Sequence, residues 1–434
     1  MDIWHIRGGN RLEGTAQIQG SKNACLPILA AAVIAPLRCE LLRVPKLSDV
    51  DAALKILRCL GCTAGRRDET VYIDSTTLSA CAIPHELMAE MRSSVIFMGA
   101  LLARCGEAWL SLPGGCRLGK RPIDLHLKAL RALGAEIEEE GGELHCRAGK
   151  LCGAVIELRF PSVGATENAM LAACGAKGET IIRNAAREPE IMALQDFLRA
   201  LGAELEGAGT AEIRIRGFHP RGCVQFKIPA DRIAAATFAC AAAGCGGDVS
   251  LQGLESQQIS TLLHFLNTAG CDIMAQHHAL RIRSEGRLQP VGTVVTAPYP
   301  GFPTDAQPLL MAAMLRASGR TLIRETIFEQ RFRHVPELCR LGANIQVDGQ
   351  TAEILGVERL SGTAMQATDL RGGAAMILAA LAADGESIVF DEGHVRRGYE
   401  DIDRTLENLG ASIFLEHEGE DNGFNTAVQS SARR

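Results

Sequence analysis

One phrase occurs six times along this chain: an amphipathic helix ends in Leu-Gly-Ala or a near variant, and a strand follows at once. The copies are Leu60-Gly61-Cys62, Leu133-Gly134-Ala135, Leu201-Gly202-Ala203, Ala269-Gly270-Cys271, Leu341-Gly342-Ala343 and Leu409-Gly410-Ala411. Their glycines lie 73, 68, 68, 72 and 68 residues apart. A period of this length means that one supersecondary unit is used repeatedly. Each glycine stands where a helix ends in a left-handed residue, a conformation that glycine adopts without a Cβ penalty. The residues that follow, such as Glu136-Ile137-Glu138 and Ser412-Ile413-Phe414, alternate as a half-buried strand does.

A second phrase shares the period: an alanine-rich apolar helix, a glycine stop and a β-rich run. It covers residues 23–35, 93–106, 165–178, 234–247, 307–319 and 372–385. These helices are apolar nearly all round, which predicts that they lie inside the protein rather than on its surface. Six units without polar terminal caps do not make an open solenoid. Two α/β lobes of three units each fit the 434 residues better. The predicted division places residues 21–229 in one lobe and residues 230–416 in the other. Residues 1–20 supply a strand to the second lobe, and the polar stretch 417–434 reads as a disordered tail.

Hydrophobic residues make up 47% of the chain, enough for a substantial core. The start lacks the basic and apolar pattern of a signal peptide, and no apolar run approaches the roughly eighteen residues of a membrane span. A cytoplasmic protein with no membrane partner is therefore expected. The net charge is -6 and aromatics amount to 4%, which argues against nucleic acid as a partner. Fifteen cysteines form an odd set in a long chain, so a disulfide framework is not expected. Cys59 and Cys62 form a lone C-x-x-C without a second pair at zinc spacing, and no metal site is assigned.

Charged and polar residues recur at the start of the apolar helices: Lys22 with Asn23, Arg92, Ser162, Asp231 with Arg232, Asp305, and Asp369 with Arg371. The junctions before the amphipathic helices add Arg121, Glu188, Arg331 and Arg397. The acidic members read as N-caps. A lysine or arginine at the positive end of a helix dipole is unfavourable by itself and points to an anionic ligand. Residues 112–122 carry three glycines and three cations, which predicts a mobile, lid-like loop. Among the cysteines only Cys116 sits in such an electropositive loop, the setting of a reactive thiol.

Taken together, several segments resemble the enolpyruvyl transferases. They are Gly20-Ser21-Lys22-Asn23-Ala24, the Cys116 loop running into Arg121-Pro122-Ile123-Asp124-Leu125-His126, Ser162-Val163-Gly164-Ala165-Thr166, Arg187-Glu188-Pro189-Glu190, Phe302-Pro303-Thr304-Asp305, Thr368-Asp369-Leu370-Arg371 and Arg397-Gly398-Tyr399-Glu400. The likeness covers about residues 2 to 416 and is specifically to the branch that acts on UDP-N-acetylglucosamine. It implies two inside-out α/β lobes of pseudo-threefold symmetry, with the buried helices as their interior. It also implies transfer of an enolpyruvyl group from phosphoenolpyruvate to the sugar 3-hydroxyl, a step of peptidoglycan synthesis sensitive to fosfomycin, with no cofactor.

By the same resemblance Cys116 is the general acid and Asp305 the base, with Lys22 and Arg397 completing the catalytic set. Lys22, Asn23, Arg121 and Arg397 hold phosphoenolpyruvate. Asn23, Arg92, Arg121, Pro122, Ile123, Asp124, Leu125, Ser162, Val163, Gly164, Asp305 and Ile327 contact the nucleotide sugar. Glu188, Asp231, Arg232, Arg331, Asp369 and Arg371 support the cleft. The chain departs from part of the family at Phe160, where a lysine is common, and at Ala234-Ala235-Ala236, where an acidic residue and a glycine are. Two other readings stand beside this one: the sister enzyme acting on shikimate 3-phosphate, which has Ser-Lys-Ser and no cysteine loop, and a catalytically silent sugar-nucleotide-binding paralogue. The oligomeric state is left open.

Overall fold

The computed structural model of the protein describes residues 1–111 and 123–417. Its helices fall into six pairs in chain order. The first unit has α1 (Lys22–Ala31) and α2 (Ser48–Cys59). The second has an additional short helix, α3 (His85–Glu90), before α4 (Phe97–Cys105) and α5 (Asp124–Ala132). The third to sixth have α6 (Val163–Cys174) and α7 (Pro189–Leu201), α8 (Arg232–Cys245) and α9 (Ser260–Thr268), α10 (Gln307–Met314) and α11 (Val335–Arg340), and α12 (Leu370–Leu381) and α13 (Ile402–Asn408). The first member of each pair is the apolar helix. Each is buried along nearly all of its length, as a helix without a polar face must be.

The second apolar helix is shorter than its sequence pattern predicts. Residues Arg92–Ile96 wind as a 3-10 helix, and the α-helix begins only at Phe97. The glycine stops, by contrast, are uniform. Gly61, Gly134, Gly202, Gly270, Gly342 and Gly410 all have φ between +90° and +109°, so the left-handed helix ending read from sequence is present in all six units.

Six four-stranded sheets surround these helices. Each has one parallel pair at an edge and continues through antiparallel pairs. The chain reaches across itself to complete two of them. The strand Leu12–Gln17 pairs in parallel with Gly247–Gln252, and Cys223–Lys227 pairs in parallel with Arg38–Leu42. The strand Asp2–Arg7 lies between Glu386–Asp391 and Ser412–His417. The N-terminal segment thus forms two strands in two sheets rather than one.

Two hydrophobic cores result. One contains residues between Ala24 and Ile228; the other joins Trp4, Ile6, Leu12, Ala16 and Ile18 to residues from Ala230 onward. In the second core α8, α10 and α12 pack against one another. Ala234, Ala235 and Ala236 belong to that interior, 1% exposed or less, so the departure noted there is one of packing. The chain crosses between the cores twice, and the crossings lie side by side. Ser21 N donates to Pro229 O at 2.8 Å, and Asp231 N to Gln19 O at 2.9 Å.

The six stop glycines differ in the room around them. A Cβ on Gly202 would lie 2.0 Å from His219 O, whereas a Cβ on Gly342 would meet nothing within 4 Å. Gly342→Ala is therefore expected to cost only the left-handed penalty of about 1–2 kcal/mol. Gly202→Ala should cost at least about 2 kcal/mol more, because the carbonyl must move. Urea unfolding of the two variants measures the difference, and equal losses would refute the role given to the close approach.

Candidate active site

Of the predicted residues at the starts of the apolar helices, Lys22, Asp231, Arg232, Asp305, Asp369 and Arg371 have ion-pair or hydrogen-bond partners contributed by other units. Ser21 caps α1 by accepting from Ala24 N, which sets Lys22 as the first helical residue. Lys22 is buried; its N donates to Asp231 Oδ2 at 3.3 Å and its Nζ to Asp49 Oδ2 at 3.1 Å. Asn23 follows, half-buried. Asp231 caps α8 by accepting from Ile233 N and Ala234 N. Asp369 caps α12 through Arg371 N and Gly372 N, each at 3.1 Å. Both therefore have the capping role that a local reading assigns.

Asp305 does not. It lies in the short 3-10 helix Thr304–Ala306 and accepts from two guanidinium groups, Arg331 Nη2 at 2.9 Å and Arg371 Nη2 at 3.4 Å. Both arginines are 2% exposed. Arg331 also donates to Thr304 O and lies 4.0 Å from Asp369 Oδ1. Arg371 stands over the Tyr399 ring, 5.3 Å from its centre. Ile327 is anchored nearby, its N donating to Glu325 Oε1 at 2.8 Å.

Carboxylates that the sequence reading had not singled out stand against these cations. Arg397, in the 3-10 helix Val395–Arg397, donates from Nε to Asp49 Oδ1 at 2.9 Å. Arg232 donates from Nε to both oxygens of Glu190, at 3.0 and 3.2 Å. The inference that a cation at a helix start requires an external anion is therefore too strong, because each of these cations has an internal carboxylate. Burial raises the affinity of the Asp49 carboxyl for its proton, but the charges of Lys22 and Arg397 outweigh that effect and hold it below the usual carboxylate range. Glu188, at the N-cap of α7, accepts from Tyr299 N at 3.3 Å. Burial pushes its carboxyl upward. Glu167, in the middle of α6, is pushed well above the usual range by burial and then by Glu190 and Glu188.

A second group lies on α5 and α6. Ser162 caps α6, accepting from Ala165 N at 3.4 Å, and Val163 and Gly164 form its first turn. Ile123 precedes α5, Asp124 opens it with an exposed side chain, and Leu125 is buried. Asn168 ties this region together: Oδ1 accepts from Gly99 N at 2.8 Å, while Nδ2 donates to Val95 O at 3.0 Å and to His126 Nδ1 at 2.7 Å. Burial lowers the His126 pKa to about 4, so its ring is neutral and, with Nδ1 accepting, carries its proton on Nε2. A Cβ on Gly164 would come within 2.9 Å of that ring, and glycine lets the turn approach it. Arg159 donates to Asp124 Oδ2 at 2.5 Å, and Phe160 beside it is 41% exposed.

Arg92 begins the 3-10 helix before α4. Cys116, Arg121 and Pro122, together with the predicted lid-like loop, lie outside the described residues, as does the tail beyond His417. Among the described residues no group of three or more metal-ligating side chains is present. No described helix is long and apolar enough to cross a membrane.

Six units in two inside-out lobes, with polar helix starts between them, define the enolpyruvyl transferase architecture, and the family model described as EPSP synthase (3-phosphoshikimate 1-carboxyvinyltransferase) matches residues 6–406. The chain belongs to that family. Within it, a protein of Trichlorobacter lovleyi named UDP-N-acetylglucosamine 1-carboxyvinyltransferase is 46% identical over 414 residues, covering 95% of this chain and 99% of its own. UDP-N-acetylglucosamine 1-carboxyvinyltransferase 1 of Staphylococcus aureus is 43% identical, with the same coverage. Among solved structures, the enolpyruvyl transferase NikO from Streptomyces tendae superposes with a TM-score of 0.87 at 26% identity, covering 95% of this chain and 98% of that one. EPSP synthase from Acinetobacter baumannii shares the fold with a TM-score of 0.74 at 21% identity, covering 96% and 100%.

The cluster of Glu167, Glu188 and Glu190 generates a prediction about pH. A glutamate whose folded pKa is raised keeps its proton in the native state after the unfolded chain has lost it, so stability falls as pH rises above the ordinary glutamate value. Glu167→Gln removes that ionisation from both states. The variant is expected to gain stability relative to the parent between about pH 4 and about pH 8. Denaturant unfolding at the two pH values tests this, and a stability difference independent of pH would contradict it.

Proposed function

We propose that the protein transfers the enolpyruvyl group of phosphoenolpyruvate to the 3-hydroxyl of UDP-N-acetylglucosamine and releases phosphate, in the cytoplasm, as the first committed step of peptidoglycan synthesis. The observation that carries this reading is the meeting of Lys22 and Arg397, from opposite lobes, at the single carboxylate of Asp49, which leaves a net positive charge for an anion to balance. The relatives named for this activity, at 43–46% identity over 95% of the chain, favour it over the shikimate alternative. Buried polar atoms support it further, since Arg232 Nη1 and Glu188 Oε2 have no hydrogen-bond partner among the described residues. A packed interior ordinarily satisfies such groups, and a polar ligand would supply partners. The lobes of this reading are residues 21–229, and residues 1–20 with 230–416.

Phosphoenolpyruvate carries a carboxylate and a phosphate, both suited to guanidinium and ammonium donors. Lys22, Arg121 and Arg397 hold it, with Asn23 beside them. The nucleotide sugar lies along Ile123, Asp124, Leu125 and the Ser162-Val163-Gly164 turn, with Arg92 and Ile327 completing its contacts. Protonation of C3 by Cys116 makes C2 electrophilic. The sugar oxygen adds to C2 as Asp305 takes its proton. The tetrahedral adduct then loses phosphate from C2 and a proton from C3, restoring the double bond. Arg331 and Arg371 hold the Asp305 carboxylate in place for this step.

Purified protein supplied with both substrates should release inorganic phosphate, and shikimate 3-phosphate in place of the sugar should give none. Absence of release across pH and protein concentration would defeat the reading. Fosfomycin should add its mass at Cys116; peptide mapping that finds the adduct on another cysteine would overturn the assignment of the acid.

A further inference from the structure

Asp49 is the second residue of α2 and is 2% exposed. Its two oxygens take donors from both lobes: Lys22 Nζ at 3.1 Å from the start of α1, and Arg397 Nε at 2.9 Å with Nη2 at 3.5 Å from the other lobe. The first turn of a helix favours an anion there, so the carboxylate is well placed to accept both cations. Two cations and one anion leave the cluster with a net positive charge. Without the carboxylate, the two basic side chains would repel each other and lose their common anchor.

A carboxylate between two substrate-binding cations could instead compete with the substrate. Donor capacity argues against that. An ammonium has three donors and a guanidinium five, and Asp49 takes only one from Lys22 and two from Arg397. Arg397 retains Nη1 for an incoming anion, and Lys22 retains two of its protons.

We propose that Asp49 is a positioning residue for phosphoenolpyruvate, clasping Lys22 of one lobe and Arg397 of the other so that both cations are set for the anion in the closed cleft. The idea rests on the enolpyruvyl-transfer reading above. It differs from a purely structural ion pair in its consequences, because the clasp acts on one substrate only.

Asp49→Asn keeps the volume and removes the charge. The KM for phosphoenolpyruvate is expected to rise about tenfold, the size of one lost charge-assisted contact, while kcat and the KM for UDP-N-acetylglucosamine stay within about threefold. Asp49→Glu should recover part of the loss. If kcat or the sugar KM moves as much as the KM for phosphoenolpyruvate, or if nothing moves, the positioning role is wrong. Arginine labelling by phenylglyoxal in the ligand-free protein tests the clasp without catalysis. Arg397, whose side chain is 39% exposed, should label several-fold faster in Asp49→Asn, with exposed Arg404 unchanged; equal labelling of Arg397 overturns the clasp. A parent protein that releases no phosphate overturns the functional reading instead, so the two failures are distinguishable.

Discussion

A helix that is apolar on every side has to be enclosed on every side, and six such helices occur in this chain. No single sheet can cover one of them. Three sheets arranged around three helices can, with the amphipathic helices filling the remaining faces, and this places the sheets outside and the helices within. The chain satisfies the requirement twice, in two separate cores. An apolar interior accommodates few polar groups along the helix sides, Glu167 and Asn168 of α6 among them, and most of the charge collects at the helix starts. The catalytic proposal depends on that segregation.

The helix starts are costly places for charge. Arg232, Arg331 and Arg371 are nearly inaccessible, and removing ionised groups from water is offset only by close partners. Glu190 supplies the partner of Arg232, and Asp305 that of Arg331 and Arg371; Asp49 does the same for buried Lys22 and for Arg397. Two of the pairs, Arg232 with Glu190 and Arg397 with Asp49, join residues of different cores. The ion pairs that line the cleft thus also link the lobes. Buried pairs of this kind contribute less to net stability than to fixing one arrangement, because their desolvation nearly cancels their attraction.

Part of this site was legible in the residues alone. Asp231 and Asp369 read as caps because capping is local: the side chain bonds amides two or three residues onward. Asp305 read in the same way and is instead held by arginines 26 and 66 residues away. Asp49 and Glu190 were passed over for a related reason. Each is an acidic residue in the first turn of an amphipathic helix, which the helix dipole alone explains. Their partners Lys22 and Arg397, and Arg232, are 27, 348 and 42 residues away in the chain, and no local pattern records such pairings.

The sequence by itself determined the repeat, the helix each unit buries and the glycine that ends its partner helix. Those features follow from apolar periodicity and from the φ that only glycine adopts freely, and both act within a few residues. Tertiary structure alone decided which strands cross to complete the two lobes, and that one carboxylate on α2 receives a cation from each. Such pairings depend on where separate units come to rest against one another, a matter of packing over the whole chain rather than of any segment within it.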